Sequence, residues 1–385
     1  MSANHADWKE VRLGEILRYL DERVTLDDNK EYFTITVKRR HGGLDIREKL
    51  FGCQIATKKQ FRLVPGAFII SRVQCWHQAY AIVGDVPANT IASTNYDQFA
   101  ISPEVDPRFF WWLSHSPGFT ETVRSSAVGV VIEKMVFNRE EWLTKSVPLP
   151  PWPEQRRLVA RIEELAAQIC EARVLRYQAA EEAEALLRSI LANDKQSRPT
   201  PRRELVRLRP PDVNVRPDEV YQFAGVYSFG RGVFKGGQKS GMEFAYPNLT
   251  RLKAGEFVYP KLMAWEGALA VVPPECDGCV VSTEFPVFEV NEERVFHEVL
   301  DTYFRTPSVW PEISGASTGT NVRRRRLNPQ DFLNYKMPVP SRETQMTLRK
   351  VKREVDALKR LQAESTAELD ALLPSILDKA FKGEL

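Results

Sequence analysis

The sequence predicts an α+β fold in which two similar, mixed α/β lobes are separated by two long helices that pair as an antiparallel coiled coil. The first observation is an internal repeat, because Arg62-Leu-Val-Pro-Gly-Ala-Phe68 recurs at an offset of 189 residues as Arg251-Leu-Lys-Ala-Gly-Glu-Phe257. The second is that each copy ends in a proline-rich segment, Val147-Pro-Leu-Pro150 or Met337-Pro-Val-Pro340. The third is the charged helical pattern that follows each of these segments.

Residues 1–150 and 204–340 are the predicted lobes. Short apolar or alternating runs, such as Tyr32-Phe-Thr-Ile-Thr-Val37, are separated by Gly, Pro and Asn, which is typical of strands joined by turns. One helix is predicted for residues 107–114, and its counterpart in the second copy for residues 295–304. A few helices among many strands make each lobe α+β.

Residues 151–192 and 341–385 are the predicted long helices. In the first, the spacing of Leu158, Ile162, Leu165 and Ile169 alternates between four and three, which places one narrow apolar stripe along the helix. A helix of roughly 60 Å with so narrow a stripe needs a partner helix, and the second copy supplies one. Residues 193–203 are polar and contain proline, so they are predicted to form a linker.

Composition limits the type of protein. The 385 residues carry a formal net charge of +3, which alone does not indicate a nucleic-acid-binding protein. No apolar run approaches the roughly 18 residues of a membrane span, and the amino terminus lacks a signal-peptide pattern. The five cysteines are too few for a disulfide framework. We therefore expect a soluble, cytoplasmic protein with reduced cysteines.

The motifs of common active sites are missing. Gly230-Arg-Gly-Val-Phe-Lys-Gly236 has one residue too many for a dinucleotide-binding motif and is interpreted as a glycine-rich turn. The pair Asn328-Pro329 is followed by Gln330, so the tetrapeptide of an amino-methyltransferase is absent. Cys276-x-x-Cys279 has no second pair and is interpreted as a surface turn. We predict no catalytic residue, no metal site and no cofactor bound by this chain.

Basic residues are concentrated at matching places in the two repeats. Residues 34–72 contain nine basic and two acidic side chains, and residues 223–261 contain six and two. A single basic cluster is more often a solvated surface than a binding site, but recurrence in both repeats favours contact with a phosphate backbone. The predicted DNA-binding residues are Lys38, Arg39, Arg40, Lys58, Lys59, Arg72, Arg231, Lys235, Lys239, Lys261, Arg323 and Arg324.

The last two belong to a run of four arginines, residues 323–326, that has no equivalent in the first repeat. Four adjacent arginines cannot all be buried, so some of them face water, a phosphate or an acidic partner.

Three segments resemble those of a known family. They are Val147-Pro-Leu-Pro-Pro-Trp-Pro-Glu-Gln-Arg-Arg-Leu158, the tail Leu377-Asp-Lys-Ala-Phe-Lys-Gly-Glu-Leu385, and Gly315-Ala-Ser-Thr-Gly-Thr320 before Met337-Pro-Val-Pro340. Over almost its whole length the chain resembles the DNA-specificity subunit of type I restriction-modification systems. One departure is that Ser341-Arg-Glu-Thr-Gln345 stands where the first copy has Trp152-Pro-Glu-Gln155.

The resemblance implies a non-catalytic subunit with two target-recognition domains, each reading one half of a split site in double-stranded DNA. It implies that the helical pair sets the spacing between the halves and that two methyltransferase subunits dock on the protein and supply the S-adenosylmethionine chemistry. Motor-nuclease subunits are implied for restriction. The alternatives are a coiled-coil scaffold that binds proteins without recognising DNA, and a standalone nuclease or methyltransferase.

Overall fold

The computed structural model describes residues 8–316 and 325–385, with the side chains of residues 314–316 excepted. The chain divides into two compact units. Unit 1 comprises Met1–Val174 and Ser365–Leu385, and unit 2 comprises Leu175–Glu364. Both units combine helices with several small sheets, so the predicted α+β class is confirmed.

The lobe of unit 1 is built from short strands and short helices. Its strands are β1 (Lys9–Arg12), β2 (Leu17–Tyr19), β3 (Arg23–Thr25), β4 (Glu31–Val37), β5 (Leu44–Phe51), β6 (Lys59–Arg62), β7 (Phe68–Ser71), β8 (Tyr80–Ile82), β9 (Thr90–Ala92), β10 (Tyr96–Ile101), β11 (Ala127–Val128), β12 (Val136–Phe137) and β13 (Ser146–Leu149). Its helices are α1 (Leu13–Ile16), α2 (Pro107–Ser114), α3 (Pro117–Ser125) and α4 (Arg139–Leu143). The strands form sheets with the orders β3-β6-β9-β4-β5 and β2-β10-β7-β8, and the pairs β1-β13 and β11-β12.

Strand β4 is buried on both of its faces. Tyr32 belongs to one small core, whereas Ile35 and Val37 belong to another. The register of its pairing with β5 shifts between Thr34 and Ile35, where β5 has one extra residue. Strand β4 pairs with β9 on one side and with β5 on the other. Strand β5 therefore forms an edge of the sheet, and most of its residues are exposed.

Helix α2 confirms the helix predicted for residues 107–114. The Asp106 carboxylate accepts a hydrogen bond from the Arg108 backbone N–H, and Pro107 occupies the first turn, where a missing N–H costs nothing. Phe109 and Phe110 are fully buried. Local signals of capping and apolar spacing were sufficient to predict this helix.

A single helix of 41 residues, α5 (Trp152–Ala192), follows the first lobe, as predicted for residues 151–192. Leu158, Ile162 and Ile169 on its apolar stripe are buried. Its first part belongs to unit 1 and its second part, from Leu175, belongs to unit 2.

The lobe of unit 2 has the same kinds of element. Its strands are β14 (Arg198–Pro201), β15 (Val206–Leu208), β16 (Val213–Asn214), β17 (Val220–Tyr227), β18 (Gly232–Ser240), β19 (Asn248–Arg251), β20 (Phe257–Val258), β21 (Ala270–Val271), β22 (Val280–Ser282), β23 (Val287–Val290) and β24 (Lys336–Val339). Its helices are α6 (His297–Phe304), α7 (Trp310–Ala316) and α8 (Pro329–Asn334). Helix α6 starts two residues later than the helix predicted for residues 295–304.

The sheets of unit 2 have the strand orders β16-β19-β22-β17-β18 and β15-β23-β20-β21, with the pair β14-β24. Each of these sheets has a counterpart in unit 1 with the equivalent order of strands. The hairpins also correspond, because β17 pairs with β18 antiparallel and with β22 parallel, and a bulge follows Gln222.

The predicted linker, residues 193–203, contains an ordered strand. Strand β14 pairs with β24 in the way that β1 pairs with β13. Pro199 and Pro201 are tolerated because both strands of a two-stranded sheet are edges. The structure differs from the predicted boundary at 204, since the folded part of the second lobe begins at Arg198.

The second long helix is interrupted. Residues 341–385 form α9 (Arg342–Glu364) and α10 (Thr366–Phe381) instead of one predicted helix, because Ser365 leaves helical geometry at ψ 3°. The break falls in the gap of the apolar stripe between Leu358 and Leu369. No stripe residue is available there to hold a continuous helix against a partner.

The helix segments of each unit pair antiparallel. In unit 1, Arg173 Nη2 donates to Asp370 Oδ1 at 2.8 Å, and Arg157 Nη2 donates to the backbone oxygen of Leu385 at 2.9 Å. As residue numbers rise along α5, those of the partner segment fall.

The helical segments of unit 2 also run antiparallel to each other. Lys359 forms an ion pair with Glu184, and the Ser341 N–H donates to Asp194 Oδ2 at 2.7 Å. Among the described residues, no helix combines the length and apolarity needed to cross a membrane.

Aromatic side chains dominate both cores. The core of unit 1 is formed around Phe68, Phe99 and Trp142, and helix α10 adds Phe381, whose ring centre lies 5.5 Å from that of Phe109. The core of unit 2 is formed by Phe257, Tyr259, Phe288, Phe304 and Phe332.

The interpretation of Cys276-x-x-Cys279 as a surface turn is wrong. Cys276 is 0% exposed and Cys279 is 2% exposed, and both pack with Val272 and Val281 in a small core. Buried thiols of this kind act as small apolar side chains. Within residues 8–316 and 325–385, no group of three His, Cys, Asp or Glu side chains is placed to hold a metal ion.

Candidate nucleic-acid interface

The β4–β5 hairpin of unit 1 carries three predicted DNA-binding residues in its turn. Lys38, Arg39 and Arg40 are exposed, and Lys38 Nζ lies 2.5 Å from Asp45 Oδ2 across the hairpin. Arg39 and Arg40 make no ion pair with any residue that the structure describes. Their guanidinium groups are therefore available to a ligand.

The conformation of this turn is held by backbone hydrogen bonds. Arg40 and His41 adopt positive φ angles of 55° and 56°, which are uncommon for residues other than glycine. The Arg40 N–H donates to His77 O at 2.8 Å, and the His41 N–H donates to Gln78 O at 3.1 Å. The two bonds fix where the arginine side chains leave the backbone.

A groove of about 790 Å³ runs beside this turn along strands β4, β5, β6 and β9. Its charged or amide-bearing lining residues are Lys38, Arg39, Arg47, Glu48, Gln60, Gln74 and Asn95. Gln74 Oε1 is buried and has no hydrogen-bond partner among the described residues. Arg pairs with guanine and Asn or Gln pairs with adenine in the DNA major groove, so this lining has the chemistry of base reading.

Sequence reasoning missed Gln74 and Asn95 as site residues. They lie in loops on either side of β8 and β9, and polar loop residues are common in any protein. Arg47 was counted within the basic window 34–72 but was not selected. The signal available for Asn95 was its position directly after Ser93-Thr94, a dipeptide repeated at Ser282-Thr283.

A second basic cluster in unit 1 contains Lys59 and Arg72. With Arg23 and Arg139 they line a cavity of about 670 Å³. Asp97 lies 3.8 Å from Arg72 Nε and 3.7 Å from Arg139 Nη1. Burial raises the pKa of Asp97, although Arg139 and Arg72 act in the opposite direction. Part of the positive charge here is thus balanced within the lobe.

Lys58 does not share this cavity with Lys59. Its ammonium lies 2.5 Å from Asp28 Oδ1 and donates to the backbone oxygen of Gly52 at 2.6 Å. Lys58 therefore connects two loops of the lobe, whereas Lys59 stays exposed at the cavity.

The β17–β18 hairpin carries three predicted residues in unit 2. Arg231 in the turn is exposed, donates from Nε to Ser228 O at 3.2 Å, and lies 4.7 Å from the ring centre of Tyr227. Lys235 and Lys239 are exposed on β18, at the edge of the five-stranded sheet. Basic side chains therefore occupy the corresponding hairpin of both units.

Lys261 is less exposed than the other predicted residues that the structure describes. Only 22% of its side chain is exposed, and its ammonium donates to Thr283 O at 2.9 Å and lies 3.9 Å from Glu284 Oε1. Arg323 and Arg324 lie outside the described residues. Arg326, at the end of the same run, pairs with Glu284.

The chemistry of the two lobes differs at equivalent places. At the offset of 189, Gln74 corresponds to Met263 and Asn95 corresponds to Glu284. An amide can donate and accept hydrogen bonds, a thioether does neither strongly, and a carboxylate only accepts. The two lobes therefore present different contacts to a ligand.

No protein-family model and no curated protein matches the sequence. Solved structures do match. The HsdS subunit from Thermoanaerobacter tengcongensis is 23% identical, with a TM-score of 0.56, and the match covers 98% of this chain and 97% of that one. The chain has the HsdS fold. A structure concerned with complex assembly and conformational transition of the type I R-M system gives 22% identity and a TM-score of 0.68, covering 98% of both chains.

The HsdS similarity extends over both lobes and both long helical regions. The resemblance that the proline-rich segments and the carboxyl-terminal residues predicted is therefore confirmed at the level of the fold.

Proposed function

We propose that this chain is the non-catalytic DNA-specificity subunit of a type I restriction-modification complex. The observation that carries the proposal is that exposed basic side chains occupy the corresponding hairpin in both units of an HsdS fold. Arg39 and Arg40 in one turn and Arg231 in the other contact phosphates, which gives affinity and register.

Each unit reads one half of a bipartite DNA site, and the halves differ in sequence. The differences between the lobes support this, because amides line the groove of unit 1 where unit 2 has Met263 and Glu284. Sequence choice comes from such side chains at the base edges, while the basic residues serve any sequence.

The helices space the two half-sites and carry the partner subunits. Antiparallel contacts within each unit, such as Arg173 with Asp370 and Glu184 with Lys359, support a paired helical spacer. Two methyltransferase subunits dock on this protein and bind S-adenosylmethionine, and motor-nuclease subunits join for restriction. Methyl transfer and cleavage belong to those partners.

The proposal is tested by methylation mapping of DNA from cells that express this chain with its methyltransferase partner. The expected result is a bipartite methylated site that is lost when this chain is omitted. The purified complex should bind that site with an affinity that falls steeply as salt concentration rises.

The competing proposals give different results. A coiled-coil scaffold would associate with proteins but would leave duplex binding and methylation unchanged. Methyl transfer or cleavage by this chain alone, measured with DNA and S-adenosylmethionine, would contradict its assignment as a non-catalytic subunit.

A further inference from the structure

The turn of the β17–β18 hairpin is attached to its lobe by the same backbone bonds as the turn in unit 1. The Phe229 N–H donates to Glu266 O at 2.8 Å, and the Gly230 N–H donates to Gly267 O at 3.0 Å. The equivalent bonds in unit 1 come from Arg40 and His41. The two lobes differ in the side chain that connects this turn to the neighbouring helix.

Arg305 holds the turn in unit 2. It caps the carboxyl end of α6, and its Nη1 donates to Gly230 O at 3.1 Å. A Cβ at Gly230 would lie 3.0 Å from Arg305 Cα, and one at Gly232 would lie 2.9 Å from Arg305 Nη2. Both glycines also have positive φ angles, of 66° and 93°. Glycine at these positions lets the turn approach the backbone of Arg305 at Gly230 and its guanidinium at Gly232.

Arg305 is connected in turn to helix α9. Its Nε donates to Asp301 Oδ2 at 2.9 Å, and Lys352 Nζ of α9 lies 3.4 Å from the same oxygen. Asp301 is only 6% exposed. Burial opposes its ionisation, but Arg305 and Lys352 outweigh burial and lower the pKa of Asp301. The residues thus form a continuous charged chain from α9 to the turn.

In unit 1, the turn is contacted by an aromatic ring instead of a charged side chain. His115 caps the carboxyl end of α2, the position that Arg305 has on α6. Its ring stacks on His41 of the turn at 4.0 Å and meets Trp111 edge-on at 4.2 Å. Seven residues after Gln155 the long helix has buried Ile162, whereas seven residues after Gln345 it has Lys352. Arg108 of α2 does pair with Glu163 of α5, but the described residues of unit 1 do not repeat the charged route that leads from the turn to Lys352.

We propose that Arg305 is a positioning residue that fixes the β17–β18 turn in place for contact with DNA. Through Asp301 and Lys352, Arg305 also connects this turn to helix α9. His115 performs the positioning of the β4–β5 turn by ring stacking. The inference rests on the proposed function and adds to it how each recognition turn is held. Changing one of the two capping residues should therefore affect one half-site only.

The test uses the complete complex with its methyltransferase partner. Affinity is measured for duplexes that carry the mapped site and for duplexes with single base-pair changes in each half. Wild-type protein should discriminate by roughly tenfold or more per base pair in both halves. Arg305→Met should lose most of this discrimination in one half and keep it in the other, and His115→Ala should show the reverse.

Further variants separate positioning from folding. Arg305→Lys keeps a charge for Asp301 but cannot also bridge to Gly230, so it should lose part of the discrimination in the same half as Arg305→Met. Lys352→Met should also affect that half alone. The matched control is Arg207→Met, because Arg207 is exposed in unit 2 and pairs with Glu289 away from the turn. Control protein should discriminate like wild type in both halves.

The outcomes are distinguishable. Folded Arg305→Lys and Lys352→Met proteins that discriminate like wild type, or that lose both halves equally, overturn the positioning role. A wild-type complex that shows no preferred site overturns the proposed function instead.

Discussion

The side chain of Gln345 accepts a hydrogen bond from the backbone N–H of Phe296 at 2.9 Å, as Gln155 does from Asp106 at 2.8 Å. Each glutamine also donates to the carbonyl of the proline five residues before it. Both are almost completely buried. The second long helix is thus attached to its lobe like the first, although its opening sequence, Ser341-Arg-Glu-Thr-Gln345, differs from that of the first helix.

Replacing Gln345 with Leu should lower the free energy of unfolding by about 1–3 kcal/mol, because the buried N–H of Phe296 would lose its acceptor. Gln155→Leu should have a similar effect. The measurement is the urea midpoint of the purified protein. Gln168→Leu is the control, since Gln168 is exposed on α5. Equal midpoints for all three variants would show that these glutamines do not stabilise the attachment.

Lys59→Ala should affect DNA binding, whereas Lys58→Ala should affect the stability of the protein. Lys59→Ala should weaken binding to all duplexes about equally and reduce the salt dependence, because an exposed positive charge of the proposed DNA interface is lost. Lys58→Ala should lower stability by roughly 0.5–1.5 kcal/mol, because a hydrogen bond to the Gly52 carbonyl is lost. Salt titrations of binding and urea titrations of folding are the two measurements. Identical behaviour of the two variants would contradict the distinction.

Asn95→Ala should relax the choice of base at one position of one half-site. The amide of Asn95 lines the groove of unit 1, and an amide that reads adenine contributes to one base pair only. Methylation mapping of cells that express the variant gives the consensus directly. Asn193→Ala is a suitable control, because Asn193 is exposed after helix α5 and its amide donates to Ser189 Oγ. A uniform loss at every position would assign Asn95 to affinity instead of base choice.

Unfolding should become easier in mild acid because of His41. Burial, with a smaller effect from His115, lowers the pKa of His41 to about 3, whereas an unfolded histidine titrates near 6.5. Above pH 6.5 neither state binds the proton. As pH falls from about 6.5 towards 3, only the unfolded state takes it up, so the free energy of unfolding decreases. Urea midpoints at pH 7 and pH 5 should differ less for His41→Gln than for wild type.

Lengthening both long helices should widen the gap between the half-sites. Seven residues inserted after Val174 and seven at Ser365 preserve the apolar period and add roughly 10 Å, or about three base pairs. The recognised half-sites should stay the same while the spacer between them lengthens, as methylation mapping would show. An unchanged spacer would contradict the proposed role of the helices.

Local signals predicted much of the fold. Helix α2 has its cap at Asp106 and proline at its first turn, and α5 has a regular stripe, so both were found at or near their bounds. Strand β14 was missed because Pro199 and Pro201 are typical of a linker, and its partner β24 lies far away in the sequence. A pairing between distant segments leaves no local pattern.

In the candidate site, too, local features were predicted from the sequence and contacts between distant residues were not. Basic residues in the two hairpins were predicted from their recurrence, since charge is visible in the sequence itself. The separate role of Lys58 depends on Asp28 and Gly52, which only the folded chain brings close. Arg305 and His115 were missed for a related reason, because each acts on a turn that precedes it by many residues.

The packing of Phe381 against Phe109 has a consequence for the order in which the protein forms during synthesis. Leu377, Ala380 and Phe381 belong to the core of unit 1, although they leave the ribosome after every residue of unit 2. The lobe of unit 1, which is synthesised first, therefore completes its interior only after helix α10 has been made. A stop codon placed before Leu377 should damage the lobe of unit 1 and spare that of unit 2.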